Sequence, residues 1–161
     1  MEQLLPIAQE VARLLKARKE TVAVAESSAG GLITAALLAV PGASAYCRGG
    51  LVIYTRHALL ALKDMDVDML RGLKPATEEY ALFEARAVRG RFAADWGIGE
   101  TGAAGPTGNS HGNPPGHTCV AVCGRVERAA TLNTGEPERL DNMQAFAEAA
   151  LKLFAQALAQ P

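Results

Sequence analysis

Twice in this chain a short apolar run gives way to a string of glycines and small residues. Thr21-Val22-Ala23-Val24-Ala25 leads into Glu26-Ser27-Ser28-Ala29-Gly30-Gly31. Later, the run Trp96 to Gly99 leads into Thr101-Gly102-Ala103-Ala104-Gly105-Pro106-Thr107-Gly108. Short apolar runs bounded by turn formers read as buried strands. A helical run from Leu32 to about Ala39 follows the first glycine segment, and Pro41-Gly42 stops it. Strand, glycine turn and helix in that order belong to sheets with helices packed on them, where crevices at strand ends are common ligand sites.

The other elements fit the same architecture. Leu4, Ile7, Val11, Leu14 and Leu15 recur at helical spacing and predict a helix ending near Lys19. Tyr46 to Tyr54 reads as a strand bent at Gly49-Gly50, and His57 to Lys63 as a short helix. Thr77 to about Ala94 predicts a longer helix with Tyr80, Phe83, Ala87 and Val88 on its buried side. A loop without periodicity runs on to Gly116. His117–Cys123 and Arg128–Leu132 pattern as an antiparallel pair around Gly124, and Met143, Phe146, Ala147, Ala150, Leu151 and Phe154 mark a final amphipathic helix. The expected fold is α/β: a three-layer α/β/α sandwich with a mixed, partly antiparallel sheet, as one domain over residues 1–161.

Composition excludes several classes. Lys plus Arg number 16 against 17 Asp plus Glu, a net charge of −1, which argues against a nucleic-acid partner. Hydrophobic residues make up 49% of the chain, too many for a disordered segment. The N-terminus lacks the basic start and apolar core of a signal peptide. The uncharged stretch Ser27–Cys47 has the length of a membrane span, but Gly30, Gly31, Pro41 and Gly42 interrupt it, so a buried helix and a turn are expected and no membrane. Three cysteines without a CxxC pair read as reduced thiols of a cytoplasmic protein.

Read from residue chemistry alone, the Glu26–Gly31 segment fits either a strand–turn–helix anion cradle or a tight turn with a serine cap. The Thr101–Gly108 loop is equally open to ligand binding and to a purely connecting role. Glu26, ending an apolar strand, should find donors, and the expectation is that it pins the two glycine loops together through backbone N–H groups. His111, His117, Cys119 and Cys123 match no usual zinc spacing, so neither a metal nor a cofactor is expected.

Four segments carry a family resemblance. Ala25-Glu26-Ser27-Ser28-Ala29-Gly30-Gly31 resembles AESCTGG, and Val40-Pro41-Gly42-Ala43-Ser44-Ala45-Tyr46 resembles VPGSSAY. Gly50-Leu51-Val52-Ile53-Tyr54 resembles GVVxY, and Thr101–Gly108 resembles TGIAGPGG, with Pro115-Gly116-His117-Thr118 similar to its PVGT partner. These segments are the motifs of the CinA C-terminal family, the nicotinamide-nucleotide amidases, and the chain resembles a stand-alone form of that family. The resemblance implies hydrolysis of the carboxamide of nicotinamide mononucleotide to nicotinic acid mononucleotide and ammonia, by a serine nucleophile activated by lysine. It implies Ser44 as that serine, with Tyr54 and Thr101 as catalytic partners. Ser27, Ser28, Gly30, Gly31, Gly102, Ala103 and Gly105 are implied as substrate-binding residues, the partner as a small-molecule nucleotide, and the assembly as a homodimer.

The chain also departs from the pattern. The family's lysine follows the tyrosine in a segment like YSNEAK, where this sequence has Tyr54-Thr55-Arg56-His57-Ala58-Leu59. Leucine cannot take a proton. The arginine of a GDR-like segment meets Gly135-Glu136-Pro137, and Ser28-Ala29 replaces Cys-Thr. Lys63, one helical turn beyond Leu59 on the same face, and His57 are the substitute bases available. With neither, the chain is a degenerate member that binds a nucleotide or a protein partner without turnover.

Overall fold

The computed structural model describes residues 1–62 and 72–160. Strands β1 (Val22–Glu26), β2 (Cys47–Val52), β3 (Trp96–Ala103), β4 (His117–Cys123) and β5 (Glu127–Asn133) form one sheet in the order β2-β1-β3-β4-β5. β1 is parallel to both neighbours, while β3–β4 and β4–β5 are antiparallel. Helices α1 (Leu5–Arg18), α2 (Leu32–Leu38) and α5 (Arg139–Leu158) pack on one face. On the other lie α3 (Arg56–Ala61) and α4 (Glu78–Arg91). The mixed three-layer sandwich expected from the element order is the observed architecture.

Strand alternation sorts the two faces by size. Val22, Val24, Trp96, Ile98, Val120 and Val122 point to α1, α2 and α5, where Leu15, Phe146, Leu151 and Phe154 are fully buried. The α4 face carries Ala23, Ala25, Gly97, Gly99, Cys119, Ala121 and Cys123. A methyl group on Gly97 would lie 1.9 Å from the Ala85 carbonyl oxygen, and one on Gly99 2.0 Å from that of Ala81. The α4 backbone therefore rests on the sheet at a distance only glycine allows. That contact corrects the expected buried side of α4. Tyr80 and Val88 are buried, but Ala81, Glu84 and Ala85 complete the stripe, and Phe83 and Ala87 are only partly covered.

A second correction concerns β3. Thr101, Gly102 and Ala103, expected in the glycine loop, pair with Cys119, Thr118 and His117. Glycine is scarce in strands, which is why the segment reads as loop. Here it is required, because a Cβ on Gly102 would meet the His117 carbonyl oxygen at 2.4 Å. The uncharged stretch Ser27–Cys47 becomes a turn, the seven-residue α2 and a turn of 3-10 helix at Ala43–Ala45. No described helix is long and apolar enough to cross a membrane.

The parallel trio has a direction that matters for function. Val22, Cys47 and Trp96 stand at one end of the sheet, whereas Glu26, Val52 and the Thr101 end of β3 stand at the other.

Candidate active site

Two buried carboxylates organise the strand ends. Glu26 accepts the N–H groups of Gly31 (2.9 Å), Ile33 (3.1 Å) and Thr34 (2.9 Å), and the Thr34 hydroxyl at 2.6 Å. It thereby caps α2 from the preceding strand, and no serine performs that role. Gly31 occupies the left-handed N-cap at φ 98°, a conformation suited to glycine. The pinning of one loop to the other, expected of Glu26, is performed by Glu100. Its Oε2 accepts the N–H groups of Ser27 (3.0 Å) and Ala29 (2.9 Å), and its Oε1 accepts the hydroxyls of Ser28 and Thr118, the latter at 2.8 Å. Burial raises the Glu100 carboxyl, while those donors pull it back toward the ionised form. Sequence reasoning missed Glu100, although it shows the signal that singled out Glu26: a lone charge between an apolar run and a glycine loop. With the amides of Ser27, Ala29 and Gly31 engaged by the chain's own carboxylates, the turn does not hold them free for an external anion.

Beyond these carboxylates the strand ends open into a cavity of about 700 Å³. Ser27, Ile53, Thr101 and Gly102 line it from the sheet, Tyr54 to Arg56, Leu59 and Leu60 from the α3 side, and Tyr80 and Glu84 from α4. Asn109, Ser110 and His111 close another wall. The Asn109 carboxamide oxygen accepts the N–H groups of His111 and Asn113, both at 3.0 Å, which shapes this loop tip. Thr101 is 4% exposed, and its hydroxyl accepts the Ala76 N–H at 3.1 Å while retaining a proton to donate. The Ser27 hydroxyl makes no hydrogen bond among the described residues.

Of the sequence-implied residues, Ser27, Tyr54, Thr101 and Gly102 meet at this cavity. Ser28 is buried against Glu100, Gly30 lies at the surface, and Gly31 serves α2. Ala103 is a buried strand residue, and the Gly105 carbonyl accepts from Arg139 at 2.6 Å. Ser44 is exposed in the 3-10 turn before β2, next to the Val22 end of β1. At about 3.3 Å per strand residue, β2 separates it from Tyr54 and Thr101 by on the order of 20 Å. The sheet thus keeps Ser44 apart from its expected partners within one chain. Lys63 lies outside the described residues. His57 is exposed and off the cavity, while Leu59, 6% exposed, lines it.

The sequence has Gly135-Glu136-Pro137 where the family pattern carries an arginine, and a cationic side chain follows a few residues later. Arg139 donates to the Tyr54 hydroxyl at 2.9 Å and stands 5.9 Å from its ring centre. No local signal marks Arg139 in the sequence, since only the packing of α5 brings it to Tyr54. Burial pushes the Tyr80 phenol up to about 12, and burial together with Glu100 raises the Glu84 carboxyl well above the usual range. Among the described residues no three His, Cys, Asp or Glu side chains gather as a metal site. His117 engages Asn133 through Nδ1 (2.8 Å) and the Ala76 carbonyl through Nε2 (2.9 Å).

Residues 4–158 match the model of the CinA C-terminal domain. A CinA-like protein of Chlorobium limicola is 36% identical over 149 residues, covering 89% of this chain and 35% of its own length. One from Synechococcus is 36% identical over 157 residues, covering 93% and 38%. The chain thus spans little more than a third of these curated relatives. Among solved structures, the competence/damage inducible protein CihA of Agrobacterium tumefaciens superposes with TM-score 0.87 at 28% identity, covering 98% of this chain and 96% of that one. A CinA superfamily protein of Klebsiella pneumoniae shares the fold with TM-score 0.88 at 24% identity, covering 97% and 98%.

Proposed function

The chain belongs to the CinA C-terminal domain family, and from that premise we propose that it hydrolyses the carboxamide of nicotinamide mononucleotide with Ser27, in place of Ser44, as the nucleophile. One observation carries the assignment: of the serines in the matched family segments, Ser27 shares the cavity with Tyr54 and Thr101, whereas Ser28 is buried against Glu100 and Ser44 lies at the other end of β2. A volume of about 700 Å³ suits a mononucleotide.

In this reading the Ser27 oxygen attacks the carboxamide carbon, and the C–N bond breaks to release ammonia. Water then cleaves the acyl ester to the acid. Tyr54, whose hydroxyl oxygen accepts from Arg139, donates its proton toward the developing oxyanion, and the Thr101 hydroxyl orients the substrate. Arg56, on the cavity rim, supplies charge for the phosphate. His111, an imidazole on the cavity wall, takes the Ser27 proton and delivers it to the nitrogen that leaves as ammonia. The three free cysteines fit a reducing, cytoplasmic setting.

Ammonia release from nicotinamide mononucleotide tests the reading. Ser27→Ala should lower kcat by about a thousandfold or more, and Ser44→Ala should leave it within about twofold. Loss of activity in Ser44→Ala alone would return the role to Ser44, acting from the partner copy of a homodimer.

The buried Leu59 favours a second reading, a nucleotide binder without turnover. Calorimetric binding of the nucleotide with no ammonia released would establish it, and Leu59→Lys would then restore activity if the base alone is missing.

A further inference from the structure

Ala76 holds the left-handed conformation at φ 58°, unusual for a residue with a Cβ, and is 3% exposed. Such a backbone persists only where its surroundings fix it, and three side chains of the sheet do so. Thr101, Cys119 and His117 project from one face, because Thr101 pairs with Cys119 and His117 precedes Cys119 by two residues. The His117 Nε2 donates to the Ala76 carbonyl oxygen at 2.9 Å, and the Cys119 thiol donates to the same oxygen at 3.5 Å. The Ala76 N–H in turn donates to the Thr101 hydroxyl oxygen at 3.1 Å. A carbonyl only accepts, so the His117 Nε2 carries a proton whatever the charge of the ring, while the Asn133 carboxamide can meet Nδ1 in either state by turning over. Leu73, Pro75 and Thr101 line the cavity, and His117 does not. In the register of PVGT, His117 stands where the family segment has glycine, so the imidazole is this chain's own feature.

We propose that His117 is a positioning residue that fixes the direction of the Thr101 hydroxyl through the Ala76 peptide. With one lone pair engaged by the Ala76 N–H, the Thr101 oxygen directs its proton elsewhere, toward the cavity it lines. Loss of the imidazole frees the Ala76 carbonyl, the left-handed residue relaxes, and its N–H leaves the hydroxyl free to rotate. The catalytic consequence rests on the amidase reading, in which Thr101 orients the substrate, whereas the placement of the hydroxyl does not.

The test measures ammonia release from nicotinamide mononucleotide by the full chain, together with hydrogen exchange of the Ala76 amide. His117→Asn keeps a polar group beside Asn133 but falls short of the Ala76 carbonyl, whereas the amide of His117→Gln reaches it. His117→Asn should lower kcat about tenfold with KM little changed, and His117→Gln should restore most of the rate. In a Thr101→Val background His117→Asn should cost nothing further, because its effect passes through that hydroxyl. The Ala76 amide should exchange about tenfold faster in His117→Asn and near the unmodified rate in His117→Gln. No fall in kcat, an equal fall in both variants, or an undiminished loss in Thr101→Val overturns the inference and leaves the amidase reading intact. Absence of ammonia from the unmodified protein overturns the amidase reading, and Ala76 exchange then decides the inference alone: a rate unchanged in His117→Asn overturns it.

Discussion

Two buried acidic groups within one cluster meet opposite treatment. At the strand ends, Glu100 is surrounded by two backbone amides and two hydroxyls. On the α4 face, Glu84 has an oxygen with no hydrogen-bond partner among the described residues. A carboxylate surrounded by donors works as a structural anchor, because removing it strands those donors. A carboxyl without donors is costly to the fold, and removing it relieves that cost.

The largest effect that would break this contrast is at Glu100. Glu100→Ala leaves the amides of Ser27 and Ala29 and the hydroxyls of Ser28 and Thr118 without their acceptor, a loss of roughly 3 kcal/mol or more in urea unfolding. Glu100→Gln should cost much less, since one oxygen still serves the amides and the hydroxyls can turn to accept. Equal losses for both would show that the donors do not depend on Glu100.

Glu84→Met should move stability the other way, by about 1–3 kcal/mol, because it removes an unsatisfied buried group of similar length. The effect has a pH signature. A carboxyl whose folded pKa is raised binds protons more tightly in the folded state. Its stabilisation is therefore complete below the unfolded value of about 4.3 and is lost as pH rises through the folded pKa. Thermal melts from pH 5 to pH 8 should show a decline in the unmodified protein and a shallower one in Glu84→Met. Glu100 keeps some slope in both, since its carboxyl is also raised.

The smallest change sharpens the comparison at the third carboxylate. Thr34→Val removes the 2.6 Å hydroxyl bond to Glu26 but leaves three amide donors, so the expected loss is about 1 kcal/mol. A much larger loss in urea unfolding would mean that the amides alone do not sustain the cap of α2.

Much of the frame was legible before any coordinates. The apolar run before Glu26, the stop at Pro41-Gly42 and the two antiparallel strands around Gly124 all stand where spacing and turn chemistry put them. The site was legible only in part. Ser27, Tyr54 and Thr101 do converge, but Ser44 follows the same motif order and lies at the far end of β2. Motif order along a chain carries no information about which end of a strand a residue occupies once the sheet is assembled. Glu84 was hidden for a different reason. A glutamate in an acidic and basic helix reads as solvated, and only the backbone contact at Gly97 and Gly99 forces that face inward.

The chain's own pattern determined the kinds of elements, their sequence and the glycine turns between them, because dihedral preference and hydrophobic period act over a few neighbouring residues. Only tertiary packing decided which serine faces the cavity, which glutamate finds donors and which arginine reaches Tyr54. Those outcomes depend on strand direction and on contacts between residues far apart in sequence, such as Ser27 with Glu100 and Tyr54 with Arg139, and no local rule encodes such a distance.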